Sequence, residues 1–167
     1  MIRELATINL ENALRWLQRW VSGSMRDPDW NMTNSGTVEE AFELLQTLFK
    51  PKTQELWRYL FVSKQIAKIV QTKKILPVSK KSKFQSFTVS KAIAIREGQE
   101  IHGGFGVAIV VSAVIPADKI MFSMQDLFKS KVPEIREAMS ALDIWEGQKE
   151  IVVKVDKPLK LKTLELL

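Results

Sequence analysis

The apolar run from Val107 to Ile115 constrains the fold of this chain more than any other segment. It reads VAIVVSAVI, is rich in β-branched residues and is closed by Pro116, a composition that predicts a strand. Through Pro116 the run has about half the length that a helix needs to cross a bilayer. We therefore expect a strand of a globular domain here and not a membrane span.

The first 50 residues predict helices. Apolar residues spaced by three and four over residues 5–21 are typical of an amphipathic helix. Thr37, followed three residues later by Glu40, has the spacing of a capping box. A second amphipathic helix is expected behind this box, ending at Pro51.

Beyond residue 54 short strands and short helices are interspersed. Ile66 to Val70 fits either a helix or a short strand, and Gly98 to Gly106 predicts a mobile loop with four glycines. Besides Val107 to Ile115, strands are predicted at Leu56–Val62, Phe84–Val89, Ile151–Val155 and, by alternation, Leu159–Leu166. Helices are predicted at Ser90–Glu97, Met124–Phe128 and Glu134–Leu142.

This order of elements predicts an α+β fold in a single domain over residues 1–167. Residues 1–50 form its helical N-terminal part and residues 51–167 its core of mixed sheet. A doubly wound parallel sheet would need regular alternation of strands and helices, and the chain has none.

Several classes of site are excluded by the residues that are missing. The chain has no cysteine and one histidine, His102, so zinc–thiolate and two-histidine metal sites are excluded. Gly103-Gly104-Phe105-Gly106 is not the dinucleotide fingerprint GxGxxG, and no Walker A sequence occurs. A Ser-His-Asp triad through His102 remains formally open, but no nucleophile elbow favours it.

The chain is basic, with a net charge of +6 and a pI near 9.6. Lysines cluster between Lys73 and Lys83 and again towards the C-terminus, which suits nucleic acid, a dinucleotide or an acidic protein as partner. The first 16 residues carry charges throughout and resemble no secretory signal. We therefore expect a cytoplasmic protein without a membrane partner.

Three short features occur in a suggestive order. Arg58 stands in LWRYLF, Ser86 and Thr88 stand in FQSFTVS, and Gln148 and Glu150 stand in GQKEIVV before an apolar strand. Over roughly residues 50–156 the chain resembles the Arg–Ser–Glu class of ADP-ribosyltransferases. Phe87 in the middle of the serine motif and Tyr59 after the arginine depart from that pattern.

The resemblance implies an enzyme that transfers ADP-ribose from NAD+ to a macromolecule, with a pair of small antiparallel or mixed sheets around the NAD+ cleft. It implies that Glu150 stabilises the positive charge that develops on the ribose and that Ser86 holds this carboxylate. Arg58 would bind the dinucleotide phosphate, while Tyr59 and Thr88 would support the NAD+ pocket. Phe105 is the candidate, by position, for stacking on nicotinamide. NAD+ is the substrate and no metal is implied.

Gln148 lies about 6–7 Å before Glu150 in an extended chain and on the same face. The resemblance gives this position contact with the acceptor, and a glutamine there favours acceptors other than arginine. Glu146 could substitute for it through the flexible Gly147.

The resemblance also favours a protein acceptor over nucleic acid, and an effector of a bacterial virus or of a toxin system that modifies its host. Two alternatives remain open: a non-catalytic basic module that binds nucleic acid or a host protein, and a decayed transferase fold used as an interaction surface.

Overall fold

The structure is a computed structural model that describes residues 10–17, 20, 36–79, 83–101, 105–141 and 149–167. Helix α1 is described over residues 10–17 and at residue 20. The other helices are α2 (Gly36–Phe49), α3 (Lys64–Lys73), α4 (Lys91–Ile101), α5 (Met124–Phe128) and α6 (Pro133–Ala141), and a short 3-10 helix covers Ala117–Lys119. The strands are β1 (Gln54–Val62), β2 (Ile75–Leu76), β3 (Phe84–Phe87), β4 (Val107–Ile115), β5 (Ile120–Ser123), β6 (Ile151–Lys154), β7 (Leu159–Lys160) and β8 (Thr163–Leu166).

The described strands form three small antiparallel sheets, in the orders β1-β4-β8, β2-β7 and β3-β6-β5. β4 is the central strand of the first sheet, where it pairs with β1 along its whole length. Directly after β3, Thr88 exchanges both backbone hydrogen bonds with Trp57 of β1, at N–O distances of 2.7 and 2.9 Å. The first and third sheets therefore meet at the middle of β1.

The buried side chains form two hydrophobic clusters that share β6. One lies among the helices α1, α2, α5 and α6, and in it Phe42 packs edge-on against Phe84 and Phe122. The other lies between the sheets and α3. Val152 belongs to the first cluster and Val153 to the second. Successive side chains of a strand point to opposite faces, so β6 joins the two clusters.

The predicted α+β class is confirmed as a mixture of helices and small antiparallel sheets, and the strand at Val107–Ile115 is confirmed residue for residue. The open choice at Ile66–Val70 is decided in favour of helix. Ser63 caps this helix by accepting a hydrogen bond from the Ile66 N–H at 3.2 Å. No helix in the described part of the chain has the length and apolar character needed to span a membrane.

Two predictions of local structure were wrong. The loop expected at Gly98–Gly106 begins later, because α4 continues to Ile101. Gly98 is buried in this helix against the Tyr59 ring, where an added Cβ would lie 2.1 Å from Cγ of the tyrosine. Glycine was interpreted as a loop signal, but here it permits close packing of a helix on a strand.

The alternating segment Leu159–Leu166 is not a single strand. It divides into β7 and β8, which belong to different sheets. Between them the backbone N–H of Leu161 donates to Lys74 and that of Lys162 donates to Ser112, at 2.9 and 2.8 Å. β2 and β5 were not predicted, since each is too short for a pattern to emerge.

Candidate functional site

Arg58 connects the first sheet to the third. It lies near the middle of β1 and is half-buried. Its Nη1 donates a hydrogen bond of 2.5 Å to the backbone carbonyl of Ser86 in β3. The guanidinium carbon lies 5.7 Å from the centre of the Phe87 ring, within cation–π range. The arginine is therefore held against the strand that carries the serine motif.

The negative charge of Glu150 acts on the Arg58 guanidinium. Burial lowers the pKa of Arg58 to about 10, and the negative charge of Glu150 opposes this by raising it. The guanidinium still remains charged at neutral pH. Its buried Nε has no hydrogen-bond partner among the described residues. A buried unpaired donor costs about 1–3 kcal/mol, so this atom suits an acceptor from outside the chain.

Glu150 is fixed both through its backbone and through its side chain. It stands directly before β6, and its carbonyl accepts a hydrogen bond from the Met124 N–H at 2.9 Å. The half-buried carboxylate accepts a hydrogen bond of 2.6 Å from the indole Nε1 of Trp20. The β3–β6 register, continued by one residue, places Glu150 opposite Thr88. The carboxylate thus lies where the serine-motif strand meets β1.

Sequence reasoning missed Trp20 as a residue of this site. Its spacing on an amphipathic helix predicts core packing, which is confirmed: Trp20 is 8% exposed and packs edge-on against Phe42. The additional bond to Glu150 joins residues 130 positions apart. No local signal in the sequence links two such positions.

The strands that carry Ser86 and Glu150 are held to α2 by ion pairs. Glu39 of α2 forms ion pairs with Lys83 and Lys154. Lys83 directly precedes β3, and Lys154 is the last residue of β6. The hydrogen bond from Lys154, followed by that from Lys83, lowers the pKa of the Glu39 carboxyl below its usual value. This network fixes the helix over the side of the third sheet next to the candidate site.

The remaining predicted site residues have different surroundings. Ser86 is half-buried and pairs with Val152, while Thr88 is 4% exposed and its Oγ1 has no described hydrogen-bond partner. Tyr59 is half-buried against Gly98. Phe105 is fully exposed before the start of β4.

The register of β1 and β4 separates Phe105 from Arg58. Arg58 pairs with Val111, which lies about 13 Å along the strand from Val107, and Phe105 lies further out. Its role in stacking on nicotinamide stays a prediction. Gln148, with the alternative residues Glu146 and His102, lies outside the described residues. The structure therefore brings together Arg58, Ser86 and Glu150.

Two clefts are described on the surface of the protein, one of them next to β6. One, of about 260 Å³, lies between the end of α2 and strands β1, β5 and β6, and its lining includes Lys50, Lys52, Asp126 and Ile151, the residue after Glu150. It is slightly smaller than the range of about 300–1,000 Å³ that is typical of ligand pockets, and Arg58, Ser86 and Glu150 are not among its lining residues.

The other cleft is a wide depression of about 590 Å³ on the outer face of α4, lined by Ala92, Ile95, Arg96 and Gln99. Within the described residues, no three His, Cys, Asp or Glu side chains are grouped so as to hold a metal ion.

No family model matches this chain, and neither does any curated protein or solved structure. The functional hypothesis therefore depends on the residues themselves and on their geometry.

Proposed function

We propose that the protein is an NAD+-dependent mono-ADP-ribosyltransferase that modifies a macromolecular acceptor in the cytoplasm of the producing or infected cell. The observation that carries this proposal is the convergence of Arg58, Ser86 and Glu150. They lie at the junction of two small antiparallel sheets although they come from distant parts of the sequence. These are the residues that the family resemblance selects for binding and reacting with NAD+.

The reaction needs few groups from the protein. The bond between nicotinamide and ribose C1′ breaks, and its electron pair leaves with nicotinamide, which departs neutral from a cationic ring. The ribose passes through an oxocarbenium-like state, and the acceptor nucleophile forms the new bond to C1′ and loses its proton. A fixed carboxylate is the most effective stabiliser of that positive charge.

Glu150 fits the role of that carboxylate. It is half-buried, which strengthens its field relative to that of a solvated side chain. Its backbone is fixed by Met124 and its carboxylate by Trp20. A carboxylate accepts several hydrogen bonds, so the bond from Trp20 is compatible with another from a ribose hydroxyl.

Arg58 fits the role of the phosphate-binding group. Its planar guanidinium presents several donors, one of which is used on Ser86 while Nε is buried and unpaired. A phosphate oxygen at this position would satisfy Nε with a charge-assisted hydrogen bond. The Lys50 and Lys52 side chains in the neighbouring cleft add positive charge for a dinucleotide.

The acceptor is proposed to be a protein, at a side chain other than arginine. This follows from the resemblance at Gln148, whose amide cannot act as a base towards an incoming guanidinium. In the alternative, the same fold is a binding module without catalysis. That alternative predicts no chemistry at Glu150, so a single set of variants separates the two functions.

The test is transfer of radiolabelled ADP-ribose from NAD+ to protein in a bacterial lysate, together with release of nicotinamide. We expect Glu150→Gln to lower the rate of transfer by about 10²–10³-fold, the usual effect of removing one such electrostatic group. Glu137→Gln removes an exposed carboxylate of α6 and should leave the rate unchanged. Equal transfer by wild type and Glu150→Gln would remove Glu150 from its role. A wild-type protein that neither transfers the label nor binds NAD+ in a calorimetric titration would overturn the proposal.

A further inference from the structure

Positive charge is concentrated in one part of this chain. Between Glu55 and Glu97 there is no aspartate or glutamate, whereas lysine or arginine occurs at ten positions. These ten charges exceed the net charge of +6, so the rest of the chain is on balance acidic. The excess charge is therefore a property of one segment and not of the whole surface.

The fold adds a lysine from the C-terminal segment to this region. β2 pairs with β7, and this pairing places Lys160 opposite Ile75, the residue after Lys74. The backbone of Leu161 is also bonded to Lys74, at 2.9 Å. The basic face is defined here as five exposed lysines of α3, its C-cap and β7: Lys64, Lys68, Lys73, Lys74 and Lys160.

No lysine of the basic face is in an ion pair within the described residues. Other lysines of the chain do have carboxylate partners: Lys83, Lys91, Lys119, Lys154 and Lys162. The charge of the basic face is therefore available to a partner outside the chain.

Lys73 lies in the last turn of α3, where a cation favours the helix, but helix stability does not explain Lys64 and Lys68. Lys64 lies in the first turn of α3, which contains no acidic residue, and a cation there opposes the helix dipole. Lys64 and Lys68 are four residues apart, a spacing at which like charges destabilise a helix.

Lys74 caps the same helix in the left-handed region, at φ 49°, a position that glycine adopts more easily. Three lysines are thus kept at positions that are unfavourable for the fold.

The chemistry of the basic face favours phosphate groups over a protein surface. Protein interfaces are depleted of lysine and enriched in Tyr, Trp and Arg, and the described residues of α3, β2 and β7 include none of these three. Ile66 and Ile69 lie beside the lysines but are only 39% and 38% exposed, too little apolar area for the core of an interface.

The lysine spacing along α3 also suits a nucleic-acid strand. The step from Lys64 to Lys68 is about 6 Å along the helix axis and about 40° around it, so these two side chains lie on the same side of α3. A nucleic-acid strand carries one charge about every 3.4 Å, so this step corresponds to roughly every second phosphate. We propose that the basic face binds the phosphate backbone of nucleic acid, without preference for base sequence. This binding does not depend on the proposed transferase activity.

The experiment measures the fluorescence anisotropy of a labelled DNA duplex of about 20 base pairs and of its single strand. The salt concentration is varied between about 50 and 300 mM, the range over which binding to phosphates weakens steeply. The variant Lys64→Gln/Lys68→Gln/Lys160→Gln removes three charges from the basic face. The charge-matched control Lys129→Gln/Lys131→Gln/Arg136→Gln removes three exposed cations that lie elsewhere. Urea unfolding of each variant checks that the fold is intact.

We expect the wild type to bind duplex DNA at 50 mM salt, with a logarithmic salt dependence whose slope has a magnitude of about 0.9 for each phosphate that the protein neutralises. In the basic-face variant the magnitude of this slope should be smaller by about 2.7 and the affinity at least 10-fold weaker, while the affinity of the control should change by less than about threefold. No binding by the wild type, or equal effects in both variants, would overturn the proposal. A competition experiment with polyglutamate provides a further test. If polyglutamate displaces the protein from labelled DNA more effectively than unlabelled DNA of equal charge does, the partner is an acidic protein and the proposal is overturned.

Discussion

At the scale of single residues, Arg58 is the most constrained charged side chain of the candidate site. It combines a hydrogen bond to Ser86, a face-on contact with Phe87 and a buried Nε without a described partner. A lysine would keep the charge but would lack the planar set of donors, so the two residues are not equivalent here.

We therefore expect Arg58→Lys to raise the Kd for NAD+ by about 10-fold or more, the effect of removing one or two charge-assisted hydrogen bonds. Isothermal titration with NAD+ measures this. The exposed Arg96 of α4 provides the matched control, since Arg96→Lys should leave the Kd within about twofold. An unchanged Kd in Arg58→Lys would mean that the guanidinium serves only to hold β1 to β3.

Trp20 provides a second test at this scale, because its indole joins the N-terminal helix to Glu150. Trp20→Phe keeps an aromatic ring against Phe42 and removes the hydrogen bond to the carboxylate. A bond to a charged group contributes about 1.5–3 kcal/mol, so the carboxylate loses orientation and the protein loses stability of that order.

We expect kcat for ADP-ribose transfer to fall by about 10-fold in Trp20→Phe while KM for NAD+ changes by less than about twofold, as when a residue that positions a catalytic group is removed. Trp16→Phe makes the same chemical change elsewhere on α1, at a side chain packed against the hydrophobic cluster among α1, α2, α5 and α6. If both variants lower kcat equally, the effect belongs to helix packing and not to Glu150.

At the scale of elements, the contact of α2 with the third sheet depends on the ionisation of Glu39. The bonds from Lys154 and Lys83 lower the pKa of Glu39 from its usual value of 4.5, so the folded state favours the carboxylate. A carboxyl with a lowered folded pKa stabilises the protein above pH 4.5, and this contribution is lost as the pH falls through the lowered value.

Glu39→Gln should therefore lower the free energy of unfolding by about 1 kcal/mol at pH 7, the upper end for partly exposed ion pairs. At pH 3 the difference in the free energy of unfolding between the wild type and the variant should become smaller. The midpoints of urea unfolding at the two pH values measure this difference. Glu40→Gln on the exposed face of α2 removes a carboxylate without a described ion pair and should have little effect at either pH. A deficit in Glu39→Gln that is equally large at pH 3 would contradict the role of the charge.

α4 lies against β1 at a position where only glycine fits. In an exposed helix, Gly→Ala would stabilise by about 1 kcal/mol. At Gly98, however, an added Cβ would approach Cγ and Cδ1 of Tyr59 to 2.1 and 2.3 Å. We expect Gly98→Ala to destabilise the protein by about 1–3 kcal/mol, the usual range for overpacking, in thermal unfolding. The exposed neighbour Gln99→Ala should be neutral, and a stabilised Gly98→Ala would show that α4 does not pack closely on β1.

These elements also show what sequence periodicity could predict. β4 was predictable because nine consecutive residues share one strand composition and Pro116 ends it. The C-terminal end of α4 was not, since the reason for Gly98 is the Tyr59 ring, about 40 residues away in sequence. Likewise, Leu159 to Leu166 alternates like one strand, yet its two halves pair with different partners.

At the scale of the whole molecule, the candidate site also combines residues that local sequence motifs could predict with residues that they could not. Arg58, Ser86 and Glu150 were named from short motifs, and the fold brings them together through the bridge between Trp57 and Thr88. Trp20 and Glu39 could not be named, because their partners are more than 100 and 40 residues away and no motif spans such distances. Contacts that depend on how two clusters meet appear only once the chain is folded.

The two hydrophobic clusters meet in β6, and this arrangement predicts how the molecule unfolds. Val152 and Val153 are fully buried in different clusters although they are neighbours in one strand. Melting either cluster removes support from β6 and hence from the other, so we expect one cooperative transition.

Val152→Ala and Val153→Ala should each lower the free energy of unfolding by about 1.5–3 kcal/mol, since each deletes two buried carbon atoms and leaves a cavity. Urea unfolding is followed by tryptophan fluorescence and by far-ultraviolet circular dichroism, and the two curves should coincide in both variants with unchanged m values. Val114→Ala removes a half-exposed side chain on β4 and serves as the control, with an expected change below about 0.5 kcal/mol. Separate transitions in the two signals would mean that the cluster among α1, α2, α5 and α6 unfolds independently of the cluster between the sheets and α3. In that case β6 would not couple Trp20 and Glu150 to the rest of the sheet.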